Sequence, residues 1–171
     1  MVAPPPALQQ VEQVAAGGAA ADLRAQYGSK LFAAILKLRE LGDLGEKVLV
    51  FVQFDSLRRD VLEVLRLGLP GRMSPLLLEG SAHRRSAILR RFRSEGGSCV
   101  LVLSLEQCSA GLDLTTARHA LLLHPMLAES REASRDVELQ AVARLRRPGQ
   151  LREVHIWRLV TTGTIEEFLL R

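Results

Sequence analysis

Three stretches of this chain, KVLVFVQF (47–54), CVLVLS (99–104) and HALLLHP (119–125), are apolar almost throughout and do not alternate with polar residues. A strand with one face in water alternates; a strand covered on both faces does not. Two further runs, MSPLLLEG (73–80) and EVHIWRLV (153–160), have strand length and composition. Between the runs lie amphipathic segments of helical length at 55–68, 83–94 and 135–147, and a last one at 165–170 follows the Thr164 cap. Apolar strands separated by helices specify an α/β domain with an open, doubly wound, mostly parallel sheet and helices on both faces. Ligands of such sheets gather beyond the carboxyl ends of the strands, here Gln53, Glu79-Gly80-Ser81, Ser104 with its following loop, and His124-Pro125.

The 171 residues fit one domain. Residues 1–28, rich in Ala, Pro, Gly and Gln, read as a disordered tail. Order is expected from Ser29, an N-cap for a helix whose Leu31, Ile35, Leu38 and Leu41 share a face, so the domain spans 29–171. No run reaches the ~18 apolar residues of a membrane span, so no membrane partner is expected. Cys99 and Cys108 stand apart and the four histidines are scattered, which excludes a metal-ligand motif and fits a reducing compartment. A net charge of +4 is compatible with a polyanionic partner without establishing one.

An α/β chain of this size invites a search for a phosphate cradle. Neither G-x-x-x-x-G-K-[ST] nor a post-strand G-x-G-x-x-G occurs, and no acidic pair follows a strand as a magnesium ligand would. The chain does carry ELQAVARLRRPGQ (138–150), where Arg144 and Arg147 are three apart and Pro148-Gly149 end the helix. Guanidinium groups there either complement the negative end of a helix dipole or are held out to phosphate oxygens. On this segment alone both readings stand. Arg90, Arg91 and Arg93 are likewise either a solvated helix face or a stripe that tracks phosphates. Glu166-Glu167, at a helix start, read as structural, and Trp157 as a packing residue.

Taken in order, KVLVFVQF, LEGS before RRSAILRRF, VLVLSLEQCSAGLDLTTARHALLLHP, and ELQAVARLRRPGQLREVHIWRLVTTGTIEE resemble the second RecA-like lobe of the Swi/Snf-type DNA-dependent ATPases. The resemblance covers 29–171, and its last segment is the most specific. Gln140, Ala141, Arg144, Arg147, Gly149 and Gln150 fall in register with the family's Q-A-x-x-R-x-x-R-x-G-Q. The resemblance implies that Arg144 and Arg147 are arginine fingers reaching across a cleft to ATP, and that Gln140 lines that cleft. Gly111 and Asp113 stand in the loop that couples nucleotide to DNA, and Gln53, Ser81 and Arg85 match positions near the DNA backbone, which Arg90 and Arg91 join if the basic stripe tracks phosphates.

It further implies half of an ATP hydrolase, with ATP and Mg2+ held mainly by a first lobe in cis or trans. Double-stranded DNA or chromatin is the expected partner, the location nuclear, and the lobe inactive alone. The form PML…ELQA is similar to the branch that carries a RING finger and acts as a ubiquitin ligase in DNA repair. Two departures stand out: Gln107-Cys108-Ser109 replace the family's Ala-Gly-Gly, and Asp113 replaces the usual Asn. They keep open an alternative, a non-catalytic nucleic-acid- or protein-binding module derived from that lobe.

Overall fold

Strand β1 (Lys47–Val52) pairs on one side with β3 (Cys99–Ser104) and on the other with β4 (His119–Leu122). The edges are β2 (Ser74–Leu77) beside β3 and β5 (His155–Arg158) beside β4, giving the order β2-β3-β1-β4-β5 with every pairing parallel. The helices are α1 (Gly18–Asp43), α2 (Leu57–Gly68), α3 (Ala82–Ser94), α4 (Arg131–Ala143) and α5 (Ile165–Leu169). This is a computed structural model, and it describes residues 18–104, 107 and 112–169.

The unbroken apolar character of β1 is explained by two cores. Val48, Val50 and Val52 join a cluster with Ile35 and Leu38 of α1 and Val61 and Leu65 of α2. Leu49 and Phe51 point the other way, toward Leu89 and Phe92 of α3 and Ala141 of α4. None of these five strand residues is more than 1% exposed. Each fully buried side chain of this size contributes about 1.5–3 kcal/mol, so a polar residue anywhere in the strand would cost on either face. The doubly wound parallel sheet read from the sequence is the observed fold.

Two helices depart from their expected bounds by four residues or more. Helix α1 begins at Gly18, inside the stretch read as a tail, and passes through one non-helical residue at Gly28 (φ 82°, ψ 166°). That positive φ is open to glycine at no steric cost, so the chain kinks there and resumes its helix. Leu23 and Tyr27, four apart, pack on the α1–α2 core, a contact too sparse to show as periodicity. Residues 1–17 lie outside the described residues. Helix α4 starts at Arg131, four residues ahead of its expected start, because Ser130 accepts the Ala133 N–H and caps it. It also ends earlier, at Ala143, where Arg144 N–H turns to the Ala141 carbonyl, three residues back.

That early end fixes where the arginines sit. Helix α4 leaves the carboxyl end of β4 and runs back to the amino end of β5, so Arg144–Gln150 lies at the amino ends of the strands. Gln53, Ser81 and His124 lie at the carboxyl ends, one strand length away.

Candidate functional site

At the carboxyl ends the sheet reverses its winding between β1 and β4, where doubly wound folds ordinarily open to a ligand. Here Gln53 bridges the crevice. Its side-chain nitrogen donates to the Leu127 carbonyl at 2.6 Å, and its side-chain oxygen accepts the Leu127 N–H at 2.8 Å. Its backbone N–H donates to Nε2 of His124 at 3.3 Å. Gln107, one of the departures noted in the sequence, closes the neighbouring gap: it accepts the Ser104 N–H at 3.1 Å and donates to the Leu78 carbonyl at 2.9 Å. Gly111 and Cys108 lie outside the described residues.

Ser81 is the N-cap of α3, its hydroxyl accepting the Arg84 N–H at 3.3 Å. Arg85, one turn on, is half-buried, while Arg90 is exposed. The expected arginine stripe divides. Arg91 donates to Ser74 Oγ at 3.3 Å and pairs with Glu95 at 3.5 Å. Arg93 turns away altogether, donating to the Asp113 carbonyl at 2.8 Å.

At the amino ends, the loop 112–118 and the turn 144–150 are fastened together. Leu114 N–H donates to the Arg144 carbonyl at 3.4 Å, and the Gln150 amide donates to the carbonyls of Thr115 and Ala117 at 2.8 and 3.0 Å. Leu114, Ala117 and Leu145 anchor both pieces in the core, none more than 1% exposed. Gly149, at φ 102°, makes the reversal that lets Gln150 reach back, a conformation that strains any residue with a Cβ. Asp113 accepts both the N–H (3.1 Å) and the hydroxyl (2.8 Å) of Thr115. Those hydrogen bonds, with Arg93 and Arg147 nearby, hold its carboxyl below the usual range. The carboxylate that replaces asparagine thus makes the turn into β4.

The arginine pair is not on a regular helix, as the sequence spacing implied. Arg144 is the C-cap of α4, and Arg147 lies in the turn beyond it. Both are half-buried and Arg146 between them is exposed. Nε of Arg144 is buried without a hydrogen-bond partner. A buried unsatisfied donor costs about 1–3 kcal/mol, and Nε of Arg58 and of Arg118 are buried in the same way. Gln140, one turn earlier on α4, is exposed. Gln140, Arg144 and Arg147 are therefore brought to one end of the domain and separated from Gln53, Ser81 and Arg85.

A third cluster, not read from the sequence, sits at the start of β1 and β4. Glu46 pairs with Arg118 and lies 3.6 Å from Arg152. The hydrogen bond from Arg118 outweighs burial and lowers the Glu46 carboxyl from its usual value. His119 receives the Trp157 indole N–H on Nδ1 at 3.2 Å, so its own proton is on Nε2, 3.8 Å from Glu46. Trp157 packs as expected and also lies under the Lys37 ammonium, 3.6 Å from its ring centre. Glu166 and Glu167 are structural: they accept the N–H groups of Thr161 (2.9 Å) and Gly163 (3.1 Å), and Glu166 pairs with Lys30. Among the described residues no set of three metal-ligating side chains converges.

Residues 30–149 match the helicase conserved C-terminal domain. The chain belongs to that family. The sequence resemblance to the second lobe of Swi/Snf-type ATPases is borne out by its neighbours. The domain is 39% identical over 144 residues to the DNA (cytosine-5-)-methyltransferase DMT5 of Cryptococcus neoformans, covering 82% of this chain and 6% of that protein. It is 33% identical over 151 residues to the DNA repair protein RAD5 of Yarrowia lipolytica, covering 84% and 13%. The crystal structure of the C-terminal part of the Fun30 ATPase domain superposes with a TM-score of 0.69 at 26% identity, covering 84% of this chain and 44% of that one. The SWI2/SNF2 ATPase core of Sulfolobus solfataricus shares the fold, with a TM-score of 0.63 at 21% identity, covering 83% and 27%. The helicase C-terminal domain thus spans a small part of the curated relatives it matches.

Proposed function

We propose that this domain is the second lobe of an ATP-dependent DNA translocase, supplying arginine fingers at one end and DNA-backbone contacts at the other. One observation carries the reading: the turn holding Arg144 and Arg147 is clamped to the loop before β4 by Gln150 and Leu114. A solvated helix end needs no such clamp.

The residues present fit triphosphate oxygens. Arg144 and Arg147 would present forked, permanently charged donors, and Gln140 a neutral amide beside them. Bound ATP supplies the phosphoryl group whose transfer to water drives movement. The part played by this domain is to bring guanidinium charge to phosphate oxygens as the cleft closes. Magnesium is assigned to the first lobe. At the other end, Ser81, Arg85 and Arg90 hold one strand's backbone, while Gln53 braces the Leu127 loop beside them. A nuclear location and chromatin as substrate belong to the same proposal, and the relatives named as DNA repair proteins support a DNA partner.

The test is ATP turnover by the pure domain and by the same domain joined to a first lobe. The domain alone should show none above background, with or without duplex DNA, and the joined protein should turn over ATP in response to DNA. Steady turnover by the domain alone would end the half-enzyme reading. Silence of a well-folded joined protein would favour a non-catalytic binding module.

A further inference from the structure

Helix α3 begins at the expected DNA contacts, Ser81 and Arg85, and ends at Ser94 beside the loop that holds the arginine turn. Its 13 residues span about 20 Å at 1.5 Å per residue. The far end is firmly attached. Lys47 Nζ donates to the carbonyls of Phe92 and Arg93 at 2.7 and 2.9 Å, and the Phe92 ring is fully buried. From that end the Arg93 guanidinium reaches out of its helix to the Asp113 carbonyl. Asp113 holds Thr115, Thr115 accepts from Gln150, and Leu114 donates to Arg144. An unbroken series of hydrogen bonds therefore joins α3 to the arginine turn.

We propose that Arg93 is a positioning residue: it ties α3 to the 112–118 loop, so that a displacement of α3 by DNA at its first turn moves the turn carrying Arg144 and Arg147. This rests on the reading of the domain as a DNA-binding second lobe, and it removes Arg93 from the phosphate-tracking stripe. Its neighbour Arg90, exposed on the same helix, belongs to that stripe. A guanidinium that tracks phosphate is held in solvent; one that donates to a backbone carbonyl in another element fixes the distance between the two. Coupling of this kind travels through packed, hydrogen-bonded elements, and Arg93 adds a directed hydrogen bond to the core that Leu89 and Phe92 of α3 share with Leu114 and Leu145.

Amide hydrogen exchange of the domain, free and with a saturating short duplex of mixed sequence, tests this. Duplex should slow exchange at Leu114–Ala117 and Leu145–Gln150. Arg93→Ala should lose that slowing while its affinity for the duplex stays at the parent value, and Arg93→Lys, which keeps a donor, should regain part of it. Arg90→Ala should do the opposite, with weaker affinity and full slowing at saturation. Both alanine variants are checked for an unchanged melting midpoint. If Arg93→Ala weakens affinity as Arg90→Ala does and keeps the slowing at saturation, Arg93 is a phosphate contact and the proposal is overturned. If the parent binds duplex with no slowing in those segments, coupling through Arg93 is overturned and DNA binding stands. If the parent binds no duplex, the reading beneath it is overturned as well.

Discussion

Gln150 holds Thr115 by its side chain: the amide donates to the Thr115 carbonyl at 2.8 Å, across 35 residues of sequence, and to Ala117 two residues on. The last residue of the R-x-G-Q element is thereby a clamp between two loops at the amino end of the sheet. Gln150→Ala removes both bonds and should destabilise the domain by about 1–3 kcal/mol, at roughly 0.5–1.5 kcal/mol for each. For a chain of this size that is a fall in melting midpoint of roughly 2–12 °C. Gln150→Glu should be worse than alanine, because it faces two carbonyl oxygens with a carboxylate. A melt in which the glutamate variant is as stable as the parent would show that the clamp is not made.

Much of this architecture was legible in the sequence because it depends on local pattern. Val48–Val52 had to be covered on both faces, and the two cores deliver that. The resemblance placed Arg144, Arg147 and Gln150 in one element. What the sequence did not show depends on three-dimensional reach. Arg93 looks like its neighbours in a basic helix, and only the path of the chain brings Asp113 within 2.8 Å of it. Glu46, Arg118 and His119 carry no motif, since their meeting follows from β1 and β4 being adjacent. The end at which Arg144 and Arg147 sit was missed for a related reason: spacing gives a face of a helix but not the direction in which that helix crosses the sheet.

His119 makes stability depend on pH. Burial, against the pull of Glu46, lowers its pKa to about 4 from the usual 6.5. The folded form therefore binds fewer protons than the unfolded one between those values, and stability is lost as pH falls from about 6.5 toward 4. At 1.36 kcal/mol per pKa unit the full loss is on the order of 3 kcal/mol. The lowered Glu46 carboxyl acts in the same direction but at lower pH, below its unfolded value. Urea midpoints at pH 7 and pH 5 should differ in the parent and differ less in His119→Phe. Equal differences in the two proteins would assign the acid sensitivity elsewhere.

Duplex DNA should bind weakly, without sequence preference and with strong salt dependence, because the expected contacts are to phosphate. Arg85→Ala and Arg90→Ala should each weaken binding and reduce the slope of log K against log salt by about 1. Arg91→Ala should do less, since its guanidinium is engaged by Ser74 and Glu95. Fluorescence anisotropy at several salt concentrations measures all of these. A flat salt response, or strong preference for one sequence, would remove the phosphate-contact assignment.

The arginine turn supplies the sharpest test of the second-lobe reading. In a protein that joins a first lobe to this domain, Arg147→Ala should lower ATP turnover by a factor on the order of 10³, the scale of a lost arginine finger. Arg144→Ala should lower it by less. Alanine at 144 keeps the backbone carbonyl that Leu114 uses, and it removes a buried nitrogen that has no partner, so no hydrogen bond of that nitrogen is lost. Arg146, exposed between them, is the internal control and should tolerate alanine in turnover and melting alike. Exposed or half-exposed charges of this kind contribute about 0–1 kcal/mol to folding, so Arg146→Ala and Arg147→Ala should melt near the parent, and Arg144→Ala, which removes an unsatisfied buried donor, should melt no lower. The measurement is kcat beside the melting midpoint for each. Equal loss of turnover in all three would mean that the turn responds to charge as a whole, with no finger in it. A lowered midpoint for Arg147→Ala, with turnover per folded molecule intact, would make that arginine a structural part of the turn.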